Sequence, residues 1–198
     1  MDISTTRGIL QLLSTADFAL EGNTEMSTYE ILEGLPPYGP IAEDCGGGHS
    51  EGFVIRFRPA SGDDWVGNFG GGMGGLDTVM THPDGIHYIV LAAGKPFVVN
   101  PETKEYEEGP GWGIKLVLNL QEPQRVILGN DICFYAVGME GLLWETRRIS
   151  WDGMRDIELK DGRITGQAWS FAAPEWSDFS VNIITGEVTG GSYTEPIQ

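Results

Sequence analysis

Apolar and polar residues alternate along much of this chain with the two-residue period of a half-buried strand. In EGFVIRFRP, residues 51–59, Phe53, Ile55 and Phe57 fall on one face and Val54, Arg56 and Arg58 on the other. RDIELKDGRITGQAW is the clearest hairpin, because Asp161-Gly162 supplies the positive φ angles of a two-residue turn. The register follows from that turn. Lys160 faces Arg163 and Leu159 faces Ile164, so Ile157 and Leu159 share a side with Ile164, Gly166 and Ala168. HPDGIHYIVLAAGKPFVVNPETKEY has the same grammar: a turn at Pro83-Asp84-Gly85, an apolar strand from Ile86, a Gly94-Lys95 turn and a second strand through Val98 and Val99. Long helices are disfavoured, since 29 glycines and 11 prolines punctuate these segments. The pattern predicts an all-β protein.

Four segments share one pattern, an apolar strand running into a tight turn and a polar or aromatic exit: VIRFRPASGDDWVGNF, FVVNPETKEYEEG, CFYAVGMEGLLWET and VNIITGEVTGGS. With Gly62, Lys104, Gly141 and Gly186 as equivalent positions, the spacings are 42, 37 and 45 residues by subtraction. A four-stranded propeller blade takes roughly 40–45 residues. A weaker copy, FALEGNTEM, puts Gly22 a further 40 residues upstream. An apolar strand followed by a Thr-Gly or similar turn and often a Trp resembles a pyrroloquinoline-quinone-type or WD-type blade, over residues 51–193. ISWDG (149–153) and TGEVTGGSY (185–193) are similar to segments of uncharacterised bacterial proteins that contain such blades. The resemblance implies a small propeller-like array of four or five antiparallel blades, and no activity, because fold does not fix function. A β-sandwich or open barrel is the alternative, since the turns of any antiparallel protein recruit Gly, Asp, Asn and Thr. Length favours one domain over residues 1–198. Within it, residues 1–50 are a less regular part with the Gly/Pro-rich stretch LPPYGPIAEDCGGGHSEG, and 51–193 carry the repeated units.

Charge narrows the partners. Twelve Lys and Arg against 29 Asp and Glu leave a formal charge of −17, which disfavours nucleic acid and anionic membranes and favours a basic protein. MDISTTRGILQLLSTADFALEG lacks the basic and then apolar regions of a secretory signal. No apolar run approaches the roughly 20 residues that cross a bilayer. Cys45 and Cys133 stand far apart and read as free thiols in a reducing compartment, so a cytoplasmic protein is expected.

Chemistry-bearing residues are few. Cys45 and His49, separated by three glycines, are weak candidates for a thiol nucleophile or two metal ligands, with His82 and His87 the only other histidines. The metal expectation is none, because a structural zinc wants four ligands and no paired spacing supplies them. His82 reads as a turn residue and His87 as a strand residue. The glycine run GNFGGGMGGLDTV (67–79) fits neither a phosphate-binding loop nor a Rossmann turn, and reads as a mobile loop or a close strand crossing with Asp77 bonding local amides. Asp63-Asp64 and Glu107-Glu108 read as solvated loops. No cofactor is implied. Of six tryptophans, at 65, 112, 144, 151, 169 and 176, most are assigned to packing. Trp151 and Trp176, beside turn residues, are the surface candidates, and with Asp152 and Arg155 they form the expected binding set. The leading expectation is a non-enzymatic acidic protein-binding module, with an immunity-type protein that neutralises a basic toxin as one instance. A small-ligand or glycan binder using Trp151 and Trp176 comes second, and a hydrolase or metal enzyme around Cys45 and His49 third.

Overall fold

The computed structural model describes residues 29–46, 50–171 and 175–193. His49 and the FALEGNTEM copy with Gly22 lie outside them. Among the described residues there are sixteen strands and no helix, so no helix is long and apolar enough to cross a membrane.

The strands form four sheets of four. The first sheet contains β1 (Tyr29–Leu32), β2 (Glu43–Cys45), β3 (Phe53–Phe57) and β4 (Trp65–Phe69) in the spatial order β1-β3-β4-β2. Here β2 runs parallel to β4, and the other pairs are antiparallel. The remaining sheets are antiparallel meanders. The second is β5 (Thr78–Thr81), β6 (Tyr88–Ala92), β7 (Lys95–Val99) and β8 (Tyr106–Glu108). The third is β9 (Leu116–Leu120), β10 (Arg125–Gly129), β11 (Phe134–Gly138) and β12 (Gly141–Glu145). The fourth is β13 (Met154–Lys160), β14 (Arg163–Ser170), β15 (Glu175–Asn182) and β16 (Val188–Gly190).

Contacts divide the chain between Lys115 and Leu116 into two compact units, with two sheets in each. The core of residues 29–115 is aromatic. Phe57 stacks on Trp65 with ring centroids 4.5 Å apart, and Phe69, Phe97, Tyr29 and Tyr88 pack around them. Trp65 is fully buried and its indole N–H donates to the Pro101 carbonyl at 2.8 Å, which removes the cost of burying that polar atom. As the alternation predicts, Ile55 and Phe57 point into this core, although Val54 on the opposite face is buried as well. The core of residues 116–193 is mainly aliphatic, with Leu118, Ile127, Ile149, Ile164 and Val181 around Phe134 and Phe179.

The hairpin at Asp161-Gly162 has the expected register, with Lys160 opposite Arg163 and Leu159 opposite Ile164. Both turn residues have positive φ. The β6–β7 turn is Ala93-Gly94, one residue earlier than expected, and the strand after the Pro83 turn begins at Tyr88, leaving Ile86 exposed. All four repeat positions, Gly62, Lys104, Gly141 and Gly186, have positive φ. Three of them lead from an inner strand to the last strand of their sheet, which forms its edge. Gly62 instead joins β3 to β4, the central pair of the first sheet, because β2 precedes that hairpin in sequence and takes the edge beside β4.

Two of these turns share the same set of bonds to backbone amides. Asn100 accepts through Oδ1 from the amides of Glu102 and Thr103, and Asn182 does so from Ile184 and Thr185. In each, the amide of the positive-φ residue, Lys104 or Gly186, donates to the asparagine carbonyl. Thr103 and Thr185 hydroxyls accept from Glu105 and Glu187. The shared N-x-x-T-x-E spacing is therefore a structural repeat, built on an asparagine side chain that mimics a backbone turn.

Candidate functional site

The outward face of the fourth sheet carries the candidate site. On β14 the inward residues Ile164 and Ala168 reach the core, so Arg163, Thr165, Gln167 and Trp169 point outward. On β15 Phe179 and Val181 are inward, leaving Trp176, Asp178, Ser180 and Asn182 outward. The register sets Trp169 directly opposite Trp176, Gln167 opposite Asp178 and Thr165 opposite Ser180. The two indoles lie 5.3 Å apart at 55°, a tilted aromatic pair.

Arg155 joins this face through a β-bulge. Glu158 pairs with Thr165 but Arg155 pairs with Gln167, so Asp156 and Ile157 together oppose the single residue Gly166. Unbroken alternation from Lys160 would turn Arg155 inward. The extra residue, with Asp156 at φ 52°, re-aims it outward and leaves Met154 to pack on the core. Gly166 is required at this point, because a Cβ there would sit 2.9 Å from both the Arg155 carbonyl and the Phe179 ring.

The Arg155 guanidinium lies 4.1 Å from the centroid of the Trp176 ring. Its Nε and Nη2 donate to Gln167 Oε1 at 3.0 and 2.8 Å, and Gln167 Nε2 donates to Asp178 Oδ1 at 3.1 Å. Arg155, Gln167 and Asp178 thus form a ladder across three strands that holds the cation against one indole. Exposed carboxylates lie beside it on this face: Asp156, whose Oδ2 is 3.4 Å from Arg155 Nε, Glu158 opposite Thr165, and Asp178. A planar arginine stacked on tryptophan, with a second tryptophan alongside and acids beside them, can accept flat or cationic groups from a partner surface.

The structure brings Arg155 and Trp176 together and places Trp151 in a different cluster. Trp151 makes edge contacts with Phe171 at 5.2 Å and Tyr193 at 4.8 Å, and the Arg148 guanidinium lies over both Trp151 and Tyr193. Asp152 is exposed in the turn leading into β13. Trp169, Gln167 and Asp178 were not among the expected site residues. The signal for Trp169 lay in the hairpin register, since placing Ile164, Gly166 and Ala168 inward places Trp169 outward. The packing assignment also fails for Trp112, which is 61% exposed between two positive-φ glycines, Gly111 and Gly113.

Cys45 is fully buried, and its thiol is pushed up to about 12, chiefly by burial and then by Asp44 and Glu43. A thiol so placed is protonated at neutral pH, so it is a poor nucleophile there. His82 is a buried turn residue, and His87 lies in the turn ahead of β6 rather than in the strand. Their Nδ1 atoms approach the same Asp84 oxygen at 3.1 and 2.7 Å. Asp84 Oδ1 also accepts from the amides of Ile86 and His87. Burial opposes the charged carboxyl, but these hydrogen bonds and the His82 ring outweigh it and hold Asp84 well below the usual carboxylate range.

The glycine run forms a close backbone crossing. Gly72 and Leu76 amides donate to Ala92 and Ile114 carbonyls, while Gly94 and Ile114 amides donate to Leu76 and Gly94 carbonyls. A Cβ on Gly94 would lie 2.7 Å from the Ile114 nitrogen, so a side chain there would force the segments apart. Asp77 Oδ1 accepts the amide of Ala93, 16 residues along the chain in the β6–β7 turn, rather than a local amide of its own loop. Glu107 and Glu108 lie in strand β8 rather than in a loop.

No family model, curated protein or solved structure matches this chain. Its functional reading rests on its own residues.

Proposed function

We propose that this chain is a non-enzymatic protein-binding module that engages a basic partner through the outer face of its fourth sheet, in the cytoplasm, as an immunity-type protein would. One observation carries the reading: Trp169, Trp176 and the stacked Arg155 lie together on an open sheet face with carboxylates beside them. Tryptophan and arginine are the residues most enriched at the energetic centres of protein interfaces. A carboxylate rim on a chain of charge −17 steers a cationic partner and speeds its association. The ladder through Gln167 and Asp178 supports the same reading, because it orders Arg155 before binding and lowers the entropic cost of docking. The blade-length repeat supports the finer proposal that the four sheets are blades of a propeller-like array.

The test is capture from native lysate at low and high salt by the wild-type chain and by Trp176→Ala and Trp169→Ala. Binding should weaken as salt rises, and each truncation should cost about 2 kcal/mol, roughly 30-fold in affinity. Capture that ignores both salt and the truncations would overturn the proposal.

A further inference from the structure

A second open site lies in the other unit, on different chemistry. Its cleft has a volume of about 250 Å³ and is lined by Met73, Lys95, Pro96, Glu108, Trp112 and backbone from the surrounding glycines. That is just below the roughly 300–1,000 Å³ of drug-sized sites. Met73 is 97% exposed and Trp112 61% exposed, so two large apolar side chains stand in solvent at the rim of one concavity. Gly111 and Gly113, with φ of 86° and 59°, bracket Trp112 and hold it out of the core.

The polar part of the lining is an ion pair. Lys95 Nζ meets Glu108 Oε1 at 2.6 Å, and the ammonium also lies 5.0 Å from the centroid of the Phe97 ring. Because the two charges cancel, neither an anion nor a cation gains a net Coulomb attraction from the pair. A neutral ligand with adjacent hydroxyls can use both members, accepting from Lys95 and donating to Glu108 through charge-assisted hydrogen bonds. The Trp112 indole offers a flat apolar surface for the C–H face of such a ligand. Volume, neutrality and an aromatic wall together describe one sugar ring, with an open side through which a linked chain can leave.

We propose that this cleft binds a neutral saccharide, one pyranose ring stacked on Trp112 with vicinal hydroxyls held by Lys95 and Glu108. The site is independent of the protein-binding face, since no residue is shared.

The test follows the Trp112 indole N–H by NMR during titration of the full chain with glucose, galactose, N-acetylglucosamine and their β-linked disaccharides. At least one probe should shift that signal saturably with a dissociation constant of about 1 mM, the low affinity expected of so small a contact. Glu108→Gln should weaken binding roughly tenfold, in the range of a hydrogen bond to a charged group. Trp112→Ala should abolish the response read at backbone amides of the cleft, and Trp176→Ala should leave it unchanged. Three results would overturn the proposal: no saturable shift with any sugar, equal response in Trp112→Ala, or a response to a proline-rich peptide in place of the sugars. Trp112 is solvent-exposed and Glu108→Gln preserves shape, so both variants should fold.

Discussion

The two units use the same devices and spend their aromatic residues differently. In residues 29–115, Phe57, Trp65, Phe69 and Phe97 are turned inward and form the core. In residues 116–193 the inward positions of the fourth sheet go to Ile164, Ala168, Phe179 and Val181, and Trp169 and Trp176 face outward. Tryptophan content alone does not separate a core from a binding surface. Strand parity does, because neighbouring residues on a strand occupy opposite faces and a one-residue shift exchanges them.

Trp65→Ala against Trp176→Ala tests this contrast with the largest expected effect. Removing Trp65 should cost about 3–5 kcal/mol in chemical denaturation, as for large aromatic truncations in cores. Removing Trp176 should change stability by less than about 1 kcal/mol, with its loss read in partner binding. Hydrogen exchange in Trp65→Ala should rise first among the amides of residues 29–115, the unit whose core it fills. A destabilisation by Trp176→Ala as large as that of Trp65→Ala would erase the distinction between core and surface tryptophans.

The matched turns offer a finer comparison. Gly186 has φ 72° and a Cβ there would lie 2.8 Å from the Trp144 ring, so Gly186→Ala should destabilise by about 2–4 kcal/mol through backbone strain and steric conflict. Its counterpart Lys104 holds φ 66° with a side chain present, and Lys104→Gly should stabilise by about 0.5–1 kcal/mol as that strain is relieved. Thermal unfolding of the two variants gives the signs directly. Effects of the same sign would show that the turns are alike in hydrogen bonding but not in backbone energetics.

The smallest effect concerns acid. Asp84 in the first unit and Asn130 in the second each accept two successive amides, Ile86 and His87 or Ile132 and Cys133. Only Asp84 titrates. Its carboxyl is held below its unfolded value, so its stabilising contribution is complete well above about pH 4 and is lost as pH falls from there through the folded value. Amide exchange at Ile86 and His87, corrected for the intrinsic pH dependence of exchange, should therefore lose protection on acidification. Asp84→Asn should remove that dependence, while the Asn130 turn keeps its protection.

Much of the fold was legible in short stretches. The Asp161-Gly162 turn set the register of β13 and β14 because two positive-φ residues permit only a tight hairpin. The candidate site was only half legible. Arg155 and Trp176 were recognisable by residue type and turn context, but Trp151 shares a cluster with Arg148 and Tyr193 instead. Their grouping depends on which strands pair, and local sequence does not contain that information.

The sequence by itself determined the β class, the hairpin register and the equivalence of the turns at Lys104 and Gly186, since each rests on backbone preferences acting within a few residues. Tertiary structure decided the rest. It set the bulge that turns Arg155 outward, the parallel seating of β2 beside β4, and the cleft where Trp112 meets Lys95 and Glu108. The β2–β4 pairing and the cleft join segments distant in the chain, and the bulge is fixed by how β13 packs on the core. In each, the free energy lies in contacts that exist only once the strands have paired.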